Sequence, residues 1–397
     1  MEDMKKVFAL ALTLAMAVGL VGCGGNGDKE QNNNGEKVVK IGVYEPQTGD
    51  NGAGGKQEIL GMQYANYVQP TVEIGGETYD VKLEIVDNRT TPENGPSAAA
   101  ELVKRGVSVI LGSYGSGVSM AGAKTFEEAG IAAMGVTCTN PGVTEGNDSY
   151  FRICFIDPFQ GPALASYAYD GLEARTAYTL AMLGSDYDQG LVTYFKEAFE
   201  AKGGTVISED FPEGSANFVS YINKAKSAGA DVIFAPVSTN YAQLIVEAAD
   251  AQGFEGSLLG SDTWDNNKVA ESAVGKDVEL AVTTFYQEGV NPEFDAGIKE
   301  WINSDADAKT NNGGNDEVSA VTTMGYDAYF TALEAIKLAD SADPADVLAA
   351  MPDVDFEGVS GRIRFGDEGD AIWDNAVIKA ANTDQMGWNF VKIQSVE

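Results

Sequence analysis

The sequence predicts an α/β fold built as two doubly wound lobes, on three observations. Nearly continuous apolar, β-branched runs recur at 38–43, 81–86, 107–111, 132–136, 151–155, 177–183, 205–211, 231–236, 257–259 and 280–285, the pattern of strands in a parallel sheet buried on both faces. Amphipathic stretches with helical spacing lie between them, at 98–105, 119–128, 160–174, 189–201, 218–228, 241–252 and 321–338. Gly106, Gly130, Gly203, Gly229 and Gly253 follow several of these, where glycine closes a helix. The alternation runs too long for one sheet, and its register breaks near Phe155–Pro158 and again after 283–286, which divides it into two lobes with right-handed crossovers.

The last segments, 361–365, 371–373 and 376–379, alternate like hairpin strands. The stretch 303–317 (NSDADAKTNNGGNDE) reads as an exposed polar loop. Its Asp305 and Asp307 lack the spaced Gly and Glu of a calcium loop, so no metal is expected there.

The N-terminus reads as an address. Lys5-Lys6 precede an apolar run at 7–21, then Gly22-Cys23, as in a secretory signal peptide; Glu2 and Asp3 are unusual ahead of it, and initiation at Met4 gives a cleaner signal. Leu20-Val21-Gly22-Cys23 resembles the bacterial lipobox, which makes Cys23 the lipidated first residue of the mature chain. The alternative, an uncleaved anchor, meets a run shorter than the ~20 residues a spanning helix needs. Residues 23–37 are polar and rich in Gly and Asn, a flexible tether. Cys138 and Cys154 then remain; outside the cytoplasm they could pair, or stand as two buried thiols.

Composition excludes several functions. Of 397 residues, 26 are Lys or Arg and 60 are Asp or Glu, a net charge of −34. A nucleic-acid partner needs a basic face, so none is expected. The absence of histidine removes Ser-His-Asp and Cys-His catalysis and every His-ligated metal site. Hydrophobic residues make up 44%, enough for large cores.

Motif inspection finds no catalytic signature. Residues 49–55 (GDNGAGG) do not spell GxGxxG, and Lys56 is followed by Gln57, so there is no P-loop. Residues 112–117 (GSYGSG) contain no GxSxG. Asp262 and Asp265 are a weak glycosidase pair in so acidic a chain. Both glycine-rich segments do match turns between a strand's carboxyl end and a helix start. Open α/β sheets bind ligands there, and helix N-termini favour an anion such as a carboxylate.

These features together resemble the branched-chain amino-acid (leucine/isoleucine/valine) substrate-binding proteins of ATP-binding-cassette importers. The markers run from Ile41-Gly42-Val43, Pro46 and Thr48-Gly49 through 107–112 leading to Ser116, then Gly130-Ile131, Thr137, Thr139 and Pro141. They continue with Gln160-Gly161, Asp186-Tyr187, Gln189-Gly190 and Gly260-Ser261-Asp262. The resemblance implies the type I periplasmic-binding fold, with three crossovers joining lobes that close on the ligand as a hinged clamp. It sets lobe one at 38–157 plus 285–361 and lobe two at 158–284 plus 362–397.

By the same resemblance, Ser116 binds the ligand carboxylate, Thr139 supports both ends of a zwitterion, and the main-chain carbonyl of Thr137 takes the ammonium. Asp262 pairs with the ammonium, and Tyr187 forms a cleft wall. The plain alternatives are N-capping for Ser116 and Thr139, a solvated loop acid for Asp262 and simple packing for Tyr187. Two positions depart from the family: Gly54 stands where relatives carry an aromatic, and Ser238 where they carry a tyrosine. Their loss is expected to enlarge or polarise the side-chain pocket. Tyr114, Ser238 and Trp264 are further candidate ligand contacts, the aromatics being the stacking surfaces a sugar would need.

The expectation is thus a monomeric lipoprotein, anchored at Cys23 on the extracytoplasmic face of a bacterial cell membrane. It carries no cofactor, catalyses nothing, and delivers an amino acid to a permease and its ATPase. The alternatives are an amide, urea-like solute or sugar as ligand, or a sensor that reports occupancy to a membrane receptor.

Overall fold

The computed structural model describes residues 37–395. The signal segment 1–22, Cys23 and the tether up to residue 36 lie outside the described residues. Among the described residues, no helix is long and apolar enough to cross a membrane.

The first sheet contains β1 (Val38–Glu45), β2 (Thr71–Ile74), β3 (Glu77–Asp87), β4 (Val109–Leu111), β5 (Ala133–Gly135) and β6 (Tyr150–Arg152), in the order β2-β3-β1-β4-β5-β6. All its pairings are parallel except the β2–β3 hairpin, whose Gly75-Gly76 turn has positive φ at both residues. The second sheet contains β7 (Thr176–Met182), β8 (Thr205–Phe211), β9 (Val232–Phe234), β10 (Ser257–Gly260) and β11 (Glu279–Thr284). Later in the chain, β12 (Asp355–Glu357) and β13 (Arg362–Arg364) pair only with each other. The strands β14 (Ala376–Ala381) and β15 (Trp388–Gln394) extend the second sheet antiparallel, giving β15-β14-β11-β10-β9-β7-β8.

Burial on both faces explains the continuous apolar runs. In β1, Ile41 and Val43 enter one core while Tyr44 enters the core on the opposite face. Each sheet reverses its winding direction once, between β1 and β4 in the first and between β7 and β9 in the second. The loops leaving the carboxyl ends of strands beside those points form the ligand crevice of an open α/β sheet.

The helices Gly52–Val68 and Ala320–Ala339 cover one face of the first sheet and touch backbone to backbone. A Cβ on Gly61 would lie 1.9 Å from the Thr322 carbonyl oxygen, and one on Gly325 would lie 2.1 Å from that of Glu58. Glycine is required at both positions by this close approach, not by conformation.

The chain passes between the lobes three times, and one aromatic ring from each passage meets the others. The ring centroids of Phe155 and Phe285 are 4.2 Å apart, and Trp373 lies edge-on to both at 5.8 and 5.9 Å. The Trp373 indole N–H donates to the Ile153 carbonyl at 2.8 Å.

Several expectations are corrected. The final passage falls between Trp373 and Ala376, not at 361. Ile363 of β13 is packed in the first core, and Phe365 stacks edge-on against Phe151. The C-terminal segments do not pair as one hairpin: β13 pairs with β12, β14 with β15, and residues 365 and 371 share a single bridge. The stretch 303–317 is not simply an exposed loop. It contains the helix Ala306–Asn311, and Asn312 is fully buried. Asp305 caps that helix, accepting from the Asp307 and Ala308 N–H groups. Cys138 and Cys154 are buried free thiols.

Replacing Gly325 with valine should force the two crossing helices apart and lower stability by about 2–3 kcal/mol, read as a fall in the urea midpoint at unchanged slope.

Candidate functional site

Loops from the facing strand ends of the two lobes enclose a cavity of about 310 Å³, lined by Tyr114 and Ser116 on one side and Tyr187 and Ser238 on the other. Arg89, Asp186 and Glu213 make its outer wall polar. A larger depression of about 820 Å³, beside Lys82 and Trp301, shares none of these residues.

Hydrogen bonds cross between the lobes on both sides of the cavity. Asn140 Nδ2 donates to the Asp186 carbonyl at 3.0 Å, and Asn266 Nδ2 donates to Gln57 Oε1 at 2.6 Å. Tyr114 also reaches across, its hydroxyl 3.4 Å from the Thr263 carbonyl.

Asp262 follows β10 and is 1% exposed, so it is not a solvated loop acid. Its Oδ1 accepts from Gln160 Nε2 and from the Tyr187 hydroxyl, each at 2.7 Å. Its Oδ2 is buried with no partner. Burial raises the carboxyl to about 6, against the opposing pull of the Gln160 and Tyr187 hydrogen bonds. Tyr187 is thus more than a packing residue: its hydroxyl also lies 2.7 Å from Ser261 Oγ, which meets Thr263 Oγ1 at 2.9 Å.

Ser116 opens the helix Ser116–Ala129 but does not cap it; Gly115 occupies the cap position. Instead Ser116 Oγ accepts from the Asn140 N–H at 3.2 Å. Thr139 is fully buried, and its hydroxyl has no partner. Thr137 turns its hydroxyl to Glu58. Arg152, buried in β6, holds this stretch from behind. Its guanidinium donates to the carbonyls of Cys138 and Asn140 and to the Thr144 hydroxyl, and is charge-balanced by Asp370 at 2.7 Å.

The expected consequence of Gly54 is corrected. A Cβ on Gly54 would lie 2.4 Å from the Tyr114 ring, so Tyr114 fills the volume of the missing aromatic from a different loop. Ser238 lines the cavity, and its buried Oγ is unpartnered. Trp264 is not a cleft wall. It is fully buried in the second lobe's core and packed on Gly260. Asp265 is committed to a buried ion pair with Lys379 at 2.9 Å and also accepts from Thr284, so it does not pair with Asp262.

Three buried acids near the site, Asp157, Glu45 and Glu58, are not among the residues that the sequence marks, and Gln160 is marked only by family spacing, with no role at the site. Asp157 lies beside Thr139, its N–H donating to the Thr139 carbonyl at 2.9 Å. Neither carboxyl oxygen makes a well-formed hydrogen bond; burial raises the group to about 7, against the opposing pull of the Thr139 hydroxyl beside it. The available signal was an acid inside an apolar run, as at Glu45 after IGVY.

Comparison with known proteins fits this geometry. Residues 38–384 match the family model described as periplasmic binding protein. A Leu/Ile/Val-binding protein homolog 1 of Brucella melitensis is 29% identical over 337 residues, covering 84% of this chain and 87% of the relative. The crystal structure of a leucine-binding protein, LivK, from Thermotoga maritima superposes with a TM-score of 0.79 at 31% identity, covering 90% of this chain and 99% of that one. The branched-chain amino-acid transporter substrate-binding protein LivJ of Streptococcus pneumoniae, in complex with isoleucine, has a TM-score of 0.78 at 23% identity, covering 89% and 99%. With its two facing α/β sheets and the cleft between their carboxyl ends, the chain belongs to the periplasmic binding protein family and is an extracytoplasmic solute-binding protein.

Proposed function

We propose that this cleft binds an amino acid and delivers it to the permease and ATPase of an ATP-binding-cassette importer, from a lipid anchor at Cys23. The observation that carries the reading is Asp262: a buried carboxylate, fixed through one oxygen, with its other oxygen unpartnered. An ammonium is the group that would complete it, because an uncompensated buried charge costs several kcal/mol. Thr139 would add its free hydroxyl and Thr137 its carbonyl. The ligand carboxylate would take Ser116 and the start of its helix, where N–H groups and the helix dipole favour an anion. Tyr187 would orient Asp262 and close the wall. The polar lining contributed by Ser238, Arg89 and Glu213 favours a ligand side chain that is polar or longer than that of leucine. The protein would act by closure, without chemistry; Asp265, the nearest acid in sequence to Asp262, is engaged by Lys379.

Thermal unfolding of residues 24–397, stripped of carried-over ligand, against single amino acids tests the reading. A ligand at ~1,000 times its Kd stabilises the native state by about 4 kcal/mol. If no amino acid shifts the midpoint, the reading fails.

Asp262→Ala should weaken that ligand by about 2–5 kcal/mol in calorimetric titration, by stranding a buried ammonium. Protonation of Asp262 competes with the ammonium. Wild-type affinity should therefore fall from its value at pH 7 as pH drops below the carboxyl's value of about 6, approaching tenfold per pH unit. Cys23→Ser should move the protein from the membrane fraction to the released fraction; continued membrane association would refute the anchor.

A further inference from the structure

Glu45, the last residue of β1, and Glu58, in the second turn of the helix Gly52–Val68, are both fully buried, and their carboxyl groups meet. Each uses one oxygen outward. Glu45 Oε2 accepts from the Tyr114 N–H at 2.8 Å, and Glu58 Oε1 accepts from the Thr137 hydroxyl. The remaining oxygens, Glu45 Oε1 and Glu58 Oε2, are buried with no other partner. Two acceptors cannot satisfy each other; one proton between them satisfies both.

Among the described residues, the surroundings supply no balancing cation. Tyr44, Tyr150 and Cys138 face the pair as neutral groups, and Asp262 faces Glu58 as an acid. Arg152, which faces Cys138, is paired with Asp370. Burial raises both carboxyls above the ordinary glutamate range, and their mutual repulsion pushes Glu45 further.

The outward contacts give the pair its role. Tyr114 carries the ring that covers Gly54 and the hydroxyl that reaches the second lobe. Thr137 sits in the adjacent loop, two residues before Thr139. We propose that Glu45 and Glu58 share a single proton at neutral pH and act as positioning residues that hold Tyr114 and Thr137 in the ligand-binding arrangement. Loss of the shared proton would then set two like charges against each other beneath the cleft and release both loops. The inference rests on the amino-acid reading only for its effect on affinity, not for the proton itself.

The test compares wild type with Glu45→Gln and Glu45→Ala. Glutamine keeps an acceptor for the Tyr114 N–H and puts an N–H toward Glu58 where the proton stood. Difference infrared spectra between pH 6 and pH 9, without ligand, should show a protonated-carboxyl carbonyl band that is larger in the wild type than in Glu45→Gln, since the buried Asp157 and Asp188, each raised to about 7, contribute to both and cancel when one difference spectrum is subtracted from the other. Because the folded protein holds the proton more tightly than the unfolded chain, stability falls as pH rises toward the folded value. The wild-type thermal midpoint should therefore decline more steeply toward pH 9 than that of Glu45→Gln. With leucine, and whichever amino acid gives the largest thermal shift, as probes, wild-type affinity should fall from pH 7 to 9 by about tenfold more than that of Glu45→Gln. The ligand's own ammonium titration cancels in that ratio. Glu45→Ala should lose affinity at every pH, and glutamine should restore it at pH 7. Equal pH slopes for wild type and Glu45→Gln, or protonated-carboxyl bands of equal size in the two, would overturn the proposal. Failure of every amino acid to bind would defeat the functional reading, while the infrared and unfolding results still decide the shared proton.

Discussion

A carboxylate taken out of water and left with one oxygen unsatisfied is the constraint around which the cleft is organised. Asp262 is held by Gln160 from the helix Asp157–Ser166 and by Tyr187 from the helix Asp186–Ala201. Gln160 is itself fixed by the Thr283 hydroxyl at 2.8 Å, at the end of β11. Orienting that acid therefore uses groups at the ends of several second-lobe elements, all at the same edge of one sheet. Parallel strands make this possible, since they bring many carboxyl ends to one side. The cost of desolvation is met by fixed dipoles rather than by a resident cation, which leaves the charge available for a partner.

The first lobe faces this charge with hydroxyls and backbone groups, and its precision comes from a second tier. Arg152 secures the loop carrying Thr139 from behind, and the Glu45–Glu58 pair secures Tyr114 and Thr137 from below. Acids and a guanidinium thus sit where a core would ordinarily be apolar. Each is matched to a specific loop contact, and none lines the cavity.

The strand and helix pattern was legible because burial on both sheet faces leaves a plain signature in apolar runs such as Val38–Glu45. Strand-end loops and family spacing single out Ser116, Thr137, Thr139, Tyr187 and Asp262 as expected contacts; four of these are buried and Tyr187 is half-buried. What was not legible depends on contacts distant in sequence. Gly54 signals a missing aromatic, but the ring that replaces it comes from position 114. Trp264 looks like a cleft aromatic in a loop, yet Gly260 leaves space that draws it into the core. Asn312 lies in a polar run that reads as exposed, while its side chain accepts from Gln57 at 3.1 Å in a buried network. The third passage lies beyond position 361 because β13 pairs with β12 and buries Ile363 in the first core, a contact that its three residues do not announce.

The packed rings of Phe155, Phe285 and Trp373 join the three passages of the chain at one point. Any rotation of one lobe against the other must shear these rings past one another or turn about them. Trp373 is also tied through its indole N–H to the Ile153 carbonyl. Trp264, by contrast, is sealed within the second core, where such a rotation leaves its surroundings intact. Trp301 packs on the first core and Trp388 on the second, so that a change in Trp373 emission on lobe movement is read against three tryptophans that each stay within one lobe.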